Sequence, residues 1–346
     1  MNESKKRRLK AAVIGAGPHG LRIVGVLAEM DQVELAAVVD RRAEALAQAA
    51  LPGGVARLES SEELFARGDI DLVCIATNGP SHAPLALAAM NAGVRHLMIE
   101  KPMACSLAEC DAIIARAQET GTRVVVDHVR CYAPAYLWLR EQIASGRWGR
   151  LKTIWMQRPG IGLGCNAVHS FAAITMLAGA PVERVTGWVD PPAGKNPRGA
   201  EFVDPGGLVV LELAGGVRAV VAQIEEGGGP MSADIHLTAG RVRLDERFGS
   251  IEIIERDLSV KPGPNRPPVL TRVDPPEGLS ANSPLPTMVR GCLEDLVSDR
   301  AGADGRDGRA STEVLIATYL SHEQGNVPVT LPLASRAAID RWLPVT

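Results

Sequence analysis

The 346-residue chain is poor in aromatic side chains and has no excess of positive charge. Phe, Trp and Tyr make up only 3% of its residues, which leaves little material for the stacking platforms that bind single-stranded nucleic acid. Lys and Arg number 37 against 40 Asp and Glu, whereas a nucleic-acid-binding protein is expected to present a basic surface. The composition therefore argues against nucleic acid as a partner.

Cysteine and histidine lack the spacings that hold a metal ion or a disulfide framework. The six cysteines are scattered and include no C-x-x-C pair, and the seven histidines include no H-E-x-x-H motif. We therefore expect reduced thiols and no metal site.

Long apolar runs are also missing. No stretch approaches the ~18 uninterrupted apolar residues of a membrane-spanning helix. The basic run from Lys5 to Lys10 is typical of a solvated tail, and the apolar run from Ala11 to Gly17 is too short for a secretory signal. We expect a soluble, cytoplasmic protein with no membrane partner.

The rest of the composition is that of a large globular protein, with 46% hydrophobic and 22% charged residues. At ~150 residues per domain, the length predicts two domains. We place them at residues 1–128 and 129–346, because the pattern of apolar runs changes between these parts.

The first part alternates strand-length apolar runs with stretches of helical periodicity. Predicted strands are Lys10–Ile14, Val33–Val39, Leu72–Ala76, His96–Ile99 and Val124–Val126, and predicted helices are Leu21–Met30, Ala43–Ala50, Ser61–Ala66, His82–Asn91 and Ser106–Glu119. Ser106 and Glu109 form an S-x-x-E capping box that marks one helix start. This alternation predicts an α/β fold with a doubly wound parallel sheet of the Rossmann type.

The second part predicts consecutive strands separated by glycine turns. After a helix at Pro134–Ser145, the predicted strands are Leu151–Gln157, Val182–Val189, Leu208–Leu213, Val217–Gln223, Ser232–Thr238 and Ile251–Ile254, and the chain closes with helices Thr287–Ser298 and Ser311–His322 and an extended piece, Val327–Leu333. Pro191–Gly207 and Lys261–Pro286 are predicted surface loops. We expect an α+β domain on an open, mostly antiparallel sheet.

Two strands of this second sheet, Leu208–Leu213 and Val217–Gln223, are apolar at nearly every position. An exposed sheet face of that kind is an interaction surface. The pattern predicts self-association through the second sheet, as a homodimer or homotetramer.

The clearest motif is Gly15-Ala16-Gly17-Pro18-His19-Gly20, a G-x-G-x-x-G between a predicted strand and a predicted helix. Gly15 permits the tight turn, Gly17 lets the backbone approach a pyrophosphate, and Gly20 lets the helix pack on the strand. The helix N-terminus offers unpaired N–H groups to the phosphates. The motif predicts dinucleotide binding, with a purely structural glycine turn as the alternative.

The predicted dinucleotide is NAD. Asp40 ends the second strand 20 residues after Gly20, where a carboxylate accepts both ribose hydroxyls and repels a 2′-phosphate. Arg41 and Arg42 keep NADP open as the alternative cofactor, because an adjacent guanidinium can bind that phosphate.

Polar residues also follow two later strands, at the sheet edge where ligands of open α/β folds bind. Ala76-Thr77-Asn78 leave one strand, with His82 opening the next helix, and Glu100-Lys101-Pro102 leave another. A lysine held before a proline places a cation near the nicotinamide, although an ordinary exposed turn lysine is the simpler interpretation of this residue alone.

These motifs together resemble the Gfo/Idh/MocA family, which is named after glucose-fructose oxidoreductase and inositol dehydrogenase. The resemblance is carried by the Gly15–Gly20 turn, the Ala76–His82 segment, Glu100-Lys101-Pro102, Arg130, Pro134, Gly146, Gly149, His169-Ser170-Phe171, Leu177, Gly179, Ser321-His322-Glu323 and the Val327–Leu333 tail. It covers nearly the whole chain, and the Glu-Lys-Pro triplet is its most specific part.

The resemblance implies an NAD(P)-dependent oxidoreductase that passes hydride between nicotinamide and a secondary alcohol or ketone of a sugar-like or cyclitol-like substrate. It implies Lys101 and His169 as the catalytic pair, with a cis Lys101-Pro102 bond. From the motifs and the resemblance together, the residues expected to contact the cofactor are Gly15, Ala16, Gly17, Pro18, His19, Gly20, Asp40, Arg41, Ala76, Thr77, Asn78, His82, Glu100 and Lys101, and those expected to contact the substrate are Lys101, Arg130, Arg158, Asn166 and His169.

The chain departs from the family pattern at two carboxylates. Many members carry an aspartate four residues before the histidine and another three after it, where this chain has Cys165 and Ala172. Asn166 is expected to take over part of the substrate contact. Two other functions therefore stay open: a non-catalytic nucleotide-binding sensor or regulator, and a redox-neutral glycosidase that uses NAD transiently. His169 as a buried core histidine is the structural alternative.

Overall fold

A computed structural model describes residues 7–345 except 161, 193–195, 197, 200, 225–228, 261–266 and 299–303. The described chain forms two compact units. The first comprises Met1–His128, Leu285–Thr312 and Asp340–Thr346, and the second comprises Val129–Pro284 and Glu313–Ile339.

The strands are β1 (Leu9–Ile14), β2 (Val33–Val39), β3 (Ala56–Leu58), β4 (Leu72–Ile75), β5 (His96–Ile99), β6 (Arg123–Val126), β7 (Leu151–Pro159), β8 (Val182–Val189), β9 (Gly207–Leu213), β10 (Val217–Ile224), β11 (Ser232–Leu237), β12 (Gly240–Asp245), β13 (Ile251–Arg256), β14 (Leu270–Val273) and β15 (Val329–Thr330). The α-helices are α1 (Pro18–Ala28), α2 (Ala43–Gln48), α3 (Ser61–Ala66), α4 (His82–Asn91), α5 (Leu107–Thr120), α6 (Pro134–Ala144), α7 (Val168–Ala178), α8 (Leu285–Val297), α9 (Arg306–Glu323) and α10 (Arg336–Ile339).

The first unit is built on a six-stranded parallel sheet in the order β3-β2-β1-β4-β5-β6. All four residues of β4 are buried, and so are the last four of β1, because helices cover both faces of such a sheet. This arrangement confirms the predicted Rossmann fold. Helix α8 packs against α1, β5 and β6, so residues 285–312 belong to this unit rather than to the continuous second domain expected from the sequence.

Helix α5 shows how local sequence sets an element of this unit. The Ser106 hydroxyl accepts a hydrogen bond from the Glu109 N–H at 3.2 Å, and the Glu109 carboxylate accepts one from the Ser106 N–H at 3.1 Å. The predicted capping box is confirmed, and replacing such a cap by alanine costs about 1 kcal/mol. Gly121 ends the helix in the left-handed region at φ +68°.

The second unit is built on a nine-stranded sheet in the order β14-β13-β12-β11-β7-β10-β9-β8-β15. Neighbouring strands are antiparallel except β7 and β10, which run parallel. The predicted open, mostly antiparallel sheet is therefore confirmed.

Several element predictions are wrong or incomplete for physical reasons. Strand β12 was not predicted, because its arginines alternate with buried valine and leucine and break up the apolar run. Helix α7 was not predicted because it is apolar on nearly all sides, as a buried helix is. The loop predicted at Lys261–Pro286 is wrong in part: its described residues include β14, which pairs with β13, and α8 begins at Leu285.

Candidate functional site

The glycine-rich turn has the shape that a dinucleotide requires. Gly15 adopts φ +110°, and a Cβ on it would lie 2.3 Å from the Ala76 carbonyl oxygen. A Cβ on Gly20 would lie 1.8 Å from the Gly15 carbonyl oxygen, so the start of α1 can approach β1 only without that side chain. A Cβ on Gly17 meets no heavy atom within 4 Å. Gly17 therefore faces open space at the first turn of α1, where a pyrophosphate fits.

Asp40 supports this turn from the end of β2. Its carboxylate accepts a hydrogen bond from the Ala16 N–H at 2.9 Å and is held by Arg42 through the backbone N–H, Nε and Nη2 at 2.9 to 3.1 Å. Burial acts to raise the pKa of Asp40, but the hydrogen bonds from Arg42 and Ala16 hold it below its usual value. The carboxylate is therefore ionised and oriented, while Arg41 beside it is exposed.

The buried His82 side chain connects the segments that follow β4 and β5. The side chain is fully buried at the start of α4, with Nδ1 2.8 Å from the Pro102 carbonyl oxygen and Nε2 3.1 Å from the Thr77 carbonyl oxygen. Burial lowers its pKa. His82 thus joins the Ala76–Asn78 segment to the Lys101-Pro102 bond, which is cis as the resemblance implies.

An ionic network connects the glycine turn to the ends of β5 and β6. His19 Nε2 lies 2.8 Å from Asp127 Oδ2 and 3.2 Å from Glu100 Oε1, and Lys101 Nζ lies 3.6 Å from Glu100 Oε2. Burial acts to raise the pKa of Glu100, but Lys101 and His19 bring it below its usual value. For Asp127, burial dominates and its pKa is raised.

The ligand atoms of His19, Glu100 and Asp127 lie within 4.8 Å of one another, which is close enough to share a cation. The imidazole is already within hydrogen-bond distance of both carboxylates, so a hydrogen-bonded network accounts for the arrangement. Asp127 was not singled out from the sequence, because a single aspartate after a strand carries no motif.

In the second unit, His169 is the second residue of α7 and follows a π-helical turn, Leu163–Ala167. Turns of this type occur often at functional sites. Asp204 holds the turn in place: its carboxylate accepts hydrogen bonds from the N–H groups of Gly164 and Cys165, both at 2.6 Å. Asp204 lies in the predicted loop Pro191–Gly207 and was missed from the sequence, since no local pattern connects it to residues 40 positions away.

Arg158 and Arg130 meet at one carboxylate. Glu246, which directly follows β12, accepts a hydrogen bond from Arg158 Nη2 at 2.5 Å and from Arg130 Nε at 3.2 Å. The Tyr136 hydroxyl donates to the same carboxylate at 2.6 Å. Burial acts to raise the pKa of Glu246, but Arg130 and Arg158 hold it below its usual value. The sequence pointed to both arginines, but not to Glu246 or Tyr136.

The site residues expected from the sequence thus divide between the units. Gly15 to Gly20, Asp40, Arg41, Ala76 to Asn78, His82, Glu100 and Lys101 belong to the first unit, whereas Arg130, Arg158, Asn166 and His169 belong to the second. Within the first unit they cluster around the turn after β1 and the ends of β2, β4 and β5. Within the second, Arg130 and Arg158 converge on Glu246.

Known proteins resemble this chain in sequence and in fold. Residues 9–128 match the model of the GFO_IDH_MocA family, described as an oxidoreductase family with an NAD-binding Rossmann fold. This match covers the part of the chain that forms the six-stranded parallel sheet, and over that part the chain is similar to the Gfo/Idh/MocA family.

Curated relatives match over part of their length. A 4-carboxy-2-hydroxymuconate-6-semialdehyde dehydrogenase from Sphingobium is 34% identical over 40% of this chain and 44% of its own. An inositol 2-dehydrogenase from Salmonella typhimurium is 33% identical over 41% of this chain and 43% of its own. The chain therefore spans less than half the length of these relatives.

Solved structures resemble the chain over nearly its whole length. An oxidoreductase domain protein from Kribbella flavida has a TM-score of 0.79 at 21% identity, covering 95% of this chain and 100% of that one. The WlbA dehydrogenase from Bordetella pertussis, in complex with NADH and UDP-GlcNAcA, has a TM-score of 0.75 at 22% identity, covering 95% and 99%. At these identities the likeness establishes the fold. In the part of the chain that the structure describes, no helix is long and apolar enough to cross a membrane.

Proposed function

We propose that the protein is an NAD(P)-dependent oxidoreductase that transfers hydride between nicotinamide and a secondary alcohol or ketone of a sugar-like or cyclitol-like substrate. The observation that carries this proposal is the glycine turn. Gly15 and Gly20 leave no room for a side chain, whereas Gly17 faces open space at the helix N-terminus. A turn that served packing alone would not need an open position there.

NAD is the proposed cofactor in preference to NADP. Asp40 is ionised and already oriented at the end of β2, so it can accept ribose hydroxyls but would repel a 2′-phosphate. The guanidinium of Arg42 could bind that phosphate, but its charge is already offset by the ion pair with Asp40. Ala16, Gly17 and the N-terminus of α1 would hold the pyrophosphate.

We propose Lys101 and His169 as the catalytic residues on the basis of the family resemblance. When bound, the nicotinamide accepts or supplies the hydride. On oxidation of a CH–OH group, His169 takes the hydroxyl proton as general base, and in the reverse direction it returns that proton to the alkoxide. Lys101 stabilises the negative charge on the alkoxide oxygen through its ammonium group, which is little exposed to water and which Glu100 holds in position.

The curated relatives include dehydrogenases and reductases of sugars and cyclitols, such as the inositol 2-dehydrogenase and a 1,5-anhydro-D-fructose reductase from Ensifer adhaerens. These names support a sugar-like or cyclitol-like substrate. We also propose that the protein acts in the cytoplasm.

Self-association through the second sheet is also proposed. Trp188, Leu208 and Ala222 are register neighbours on β8, β9 and β10, and Val210, Val220 and Trp155 form the next row on β9, β10 and β7. Trp155 is 56% exposed and Trp188 41%, so this sheet face presents apolar surface that a second copy would cover.

The experiment that tests the function is reduction of NAD by a panel of sugars, cyclitols and their acids, followed through the absorbance of reduced nicotinamide. Calorimetric titration with NAD is run in parallel on the wild type and Gly17→Val, with Gly25→Ala on the same helix as the control. We expect Gly17→Val alone to abolish binding. Tight NAD binding without reduction by any substrate would favour the sensor or the redox-neutral enzyme, and NAD binding unchanged by Gly17→Val would contradict the proposed cofactor site.

A further inference from the structure

The cluster around Glu246 has more positive charge than its single carboxylate can neutralise. Arg158 is only 2% exposed, and Arg130 is largely buried. Among the described residues, Glu246 is the one carboxylate paired with either arginine, and Tyr136 is neutral. Two guanidinium groups against one carboxylate leave one uncompensated positive charge in a buried place, which is unfavourable unless an anion joins them.

Some hydrogen-bond donors of these arginines have no acceptor among the described residues. Arg158 Nε and Nη1 and Arg130 Nη1 are buried and lack a hydrogen-bond partner in the described part of the chain, although almost all buried polar atoms in folded proteins have one. Arg158 uses only Nη2, which donates to Glu246 and to the Tyr136 hydroxyl. The unused donors belong to the two groups that carry the excess charge, so a negatively charged acceptor would satisfy the donors and the charge together.

The cluster lies at the same end of the second sheet as the residues proposed to bind substrate. Arg158 is the register partner of Gln223, whose Nε2 donates to the Gly160 carbonyl oxygen at 2.8 Å. A Cβ on Gly160 would lie 3.8 Å from the Asn166 side-chain amide, one helical turn before His169. Helix α7, which carries His169, packs against β7, β10 and the 3-10 turn Val129–Tyr132 that carries Arg130.

We propose that Arg158 and Arg130 form an anion site that binds a carboxylate group of the substrate. The proposal rests on the proposed oxidoreductase function and narrows its substrate class to hydroxy acids such as sugar acids, in place of neutral sugars and cyclitols. A carboxylate carries the one negative charge that restores neutrality to the cluster, and arginine is well suited to bind it. Tyr136 and Glu246 engage Arg158 through Nη2, so Nε and Nη1 are the donors that the ligand would take.

Acetate and acetamide test the site directly, because they have nearly the same shape and differ in charge. The full-length protein, labelled with 15N and 13C in arginine, is titrated with each probe at constant ionic strength, and the guanidinium resonances are followed by NMR. The resonances of Arg158 and Arg130 are assigned by their loss in Arg158→Lys and Arg130→Lys. We expect acetate to shift both sets saturably and acetamide to leave them in place.

Two variants are expected to change acetate affinity in opposite directions. Arg158→Lys keeps the charge but removes the Nη donors, so acetate affinity should fall about tenfold or more. Glu246→Gln removes the competing carboxylate, so acetate affinity should rise severalfold. Arg241→Lys is the matched control, since Arg241 also binds a carboxylate of the second unit, Asp234, which lies 3.2 Å from His236 Nε2 as well, and the variant should leave acetate binding unchanged.

The outcomes separate this proposal from the proposed function. Equal responses to acetate and acetamide, or the absence of a saturable shift in both the wild type and Glu246→Gln, would mean that the cluster holds internal water only and would overturn the anion site. Saturable acetate binding without hydride transfer to any alcohol would support the anion site and count against the oxidoreductase. Hydride transfer from neutral sugars without acetate binding would support the oxidoreductase and count against the anion site.

Discussion

Asp204 binds the backbone of Cys165 in the π-helical turn that leads to His169. Its carboxylate accepts hydrogen bonds from the Gly164 and Cys165 N–H groups, both at 2.6 Å. A Cβ on Gly162 would lie 2.0 Å from Asp204 Oδ2, so only glycine allows this close approach. A carboxylate therefore reaches this turn from a different part of the chain, where it holds the segment that leads to His169.

Asp204→Ala should loosen this turn. Both N–H groups would lose a charged acceptor, and we expect the free energy of unfolding to fall by about 2 to 4 kcal/mol, since a buried hydrogen bond to a charged group contributes about 1.5 to 3 kcal/mol. Urea denaturation measures the loss, and hydrogen exchange at Gly164 and Cys165 localises it. Asp204→Asn keeps the side-chain volume and one acceptor oxygen, so its free energy of unfolding should lie between those of the wild type and Asp204→Ala. Unchanged exchange in Asp204→Ala would remove Asp204 from the support of this turn.

Asp40→Asn should weaken the preference for NAD. The amide keeps the shape but loses the charge that repels a 2′-phosphate, and it frees Arg42 from its ion pair. We expect NAD affinity to fall about tenfold and the ratio of NADP to NAD affinity to rise, as measured by calorimetric titration. Glu44→Gln, an exposed carboxyl in the first turn of α2, is the control. Tighter binding of NADP than NAD by the wild type would show that Arg41 or Arg42 sets the choice.

His19 should make stability depend on pH near neutrality. Burial acts to lower its pKa, but the hydrogen bond to Asp127 and the charge of Glu100 raise it above 6.5, against opposition from Arg22, whose Nη1 lies 3.0 Å from His19 Nδ1. A raised folded-state pKa means that the stabilisation is complete below the unfolded value of about 6.5 and is lost as the pH rises through the folded value.

The free energy of unfolding of the wild type and His19→Gln, measured by urea denaturation from about pH 5 to 9, tests this. The advantage of the wild type should shrink as the pH rises. His96→Gln provides a control of opposite sign, because burial lowers the pKa of His96 and its contribution should be lost as the pH falls. Parallel curves for the wild type and His19→Gln would contradict the assignment.

Trp155→Ser should disrupt self-association. Trp155 is more than half exposed in the middle of the sheet face proposed to pair, and it is the more exposed of the two tryptophans on that face, so its removal takes away much of the apolar surface there. Light scattering coupled to size-exclusion chromatography should show a lower mass for the variant at micromolar concentration. Trp342→Ser removes a similarly exposed tryptophan of the first unit and should have no effect. A monomeric wild type would rule out the proposed interface.

His169→Ala should lower kcat by about 10²- to 10⁴-fold with little change in NAD affinity, because proton transfer is lost while the glycine turn is intact. Lys101→Ala should lower kcat as well and also weaken NAD binding. The double variant should be less impaired than the product of the single effects predicts, since proton transfer contributes little once the alkoxide is not stabilised. Single-turnover hydride transfer is the measurement. A wild-type rate in His169→Ala would identify His169 as a structural residue.

Much of the Rossmann unit could be predicted from the sequence, because its determinants are local. The glycine turn, the Asp40 spacing, the apolar strands and the Ser106–Glu109 capping box each lie within a few residues or one βαβ repeat, and the structure confirms the strands and the cap. The exceptions are informative: β3 has only three residues with Arg57 in the middle, and α1 begins at Pro18 because proline is favoured in the first turn of a helix.

The tertiary structure alone decided which polar residues meet. Arg158 and Glu246 are 88 residues apart, Asp204 and Gly164 are 40 apart, and His19 and Asp127 are 108 apart. No spacing rule connects positions so distant, since they meet only when strands pair and helices pack. The sequence by itself determined the parallel sheet and the glycine turn. Only the tertiary structure decided the charge balance around the buried Arg158 and Arg130, because long-range contacts determine which carboxylates lie beside these two arginines.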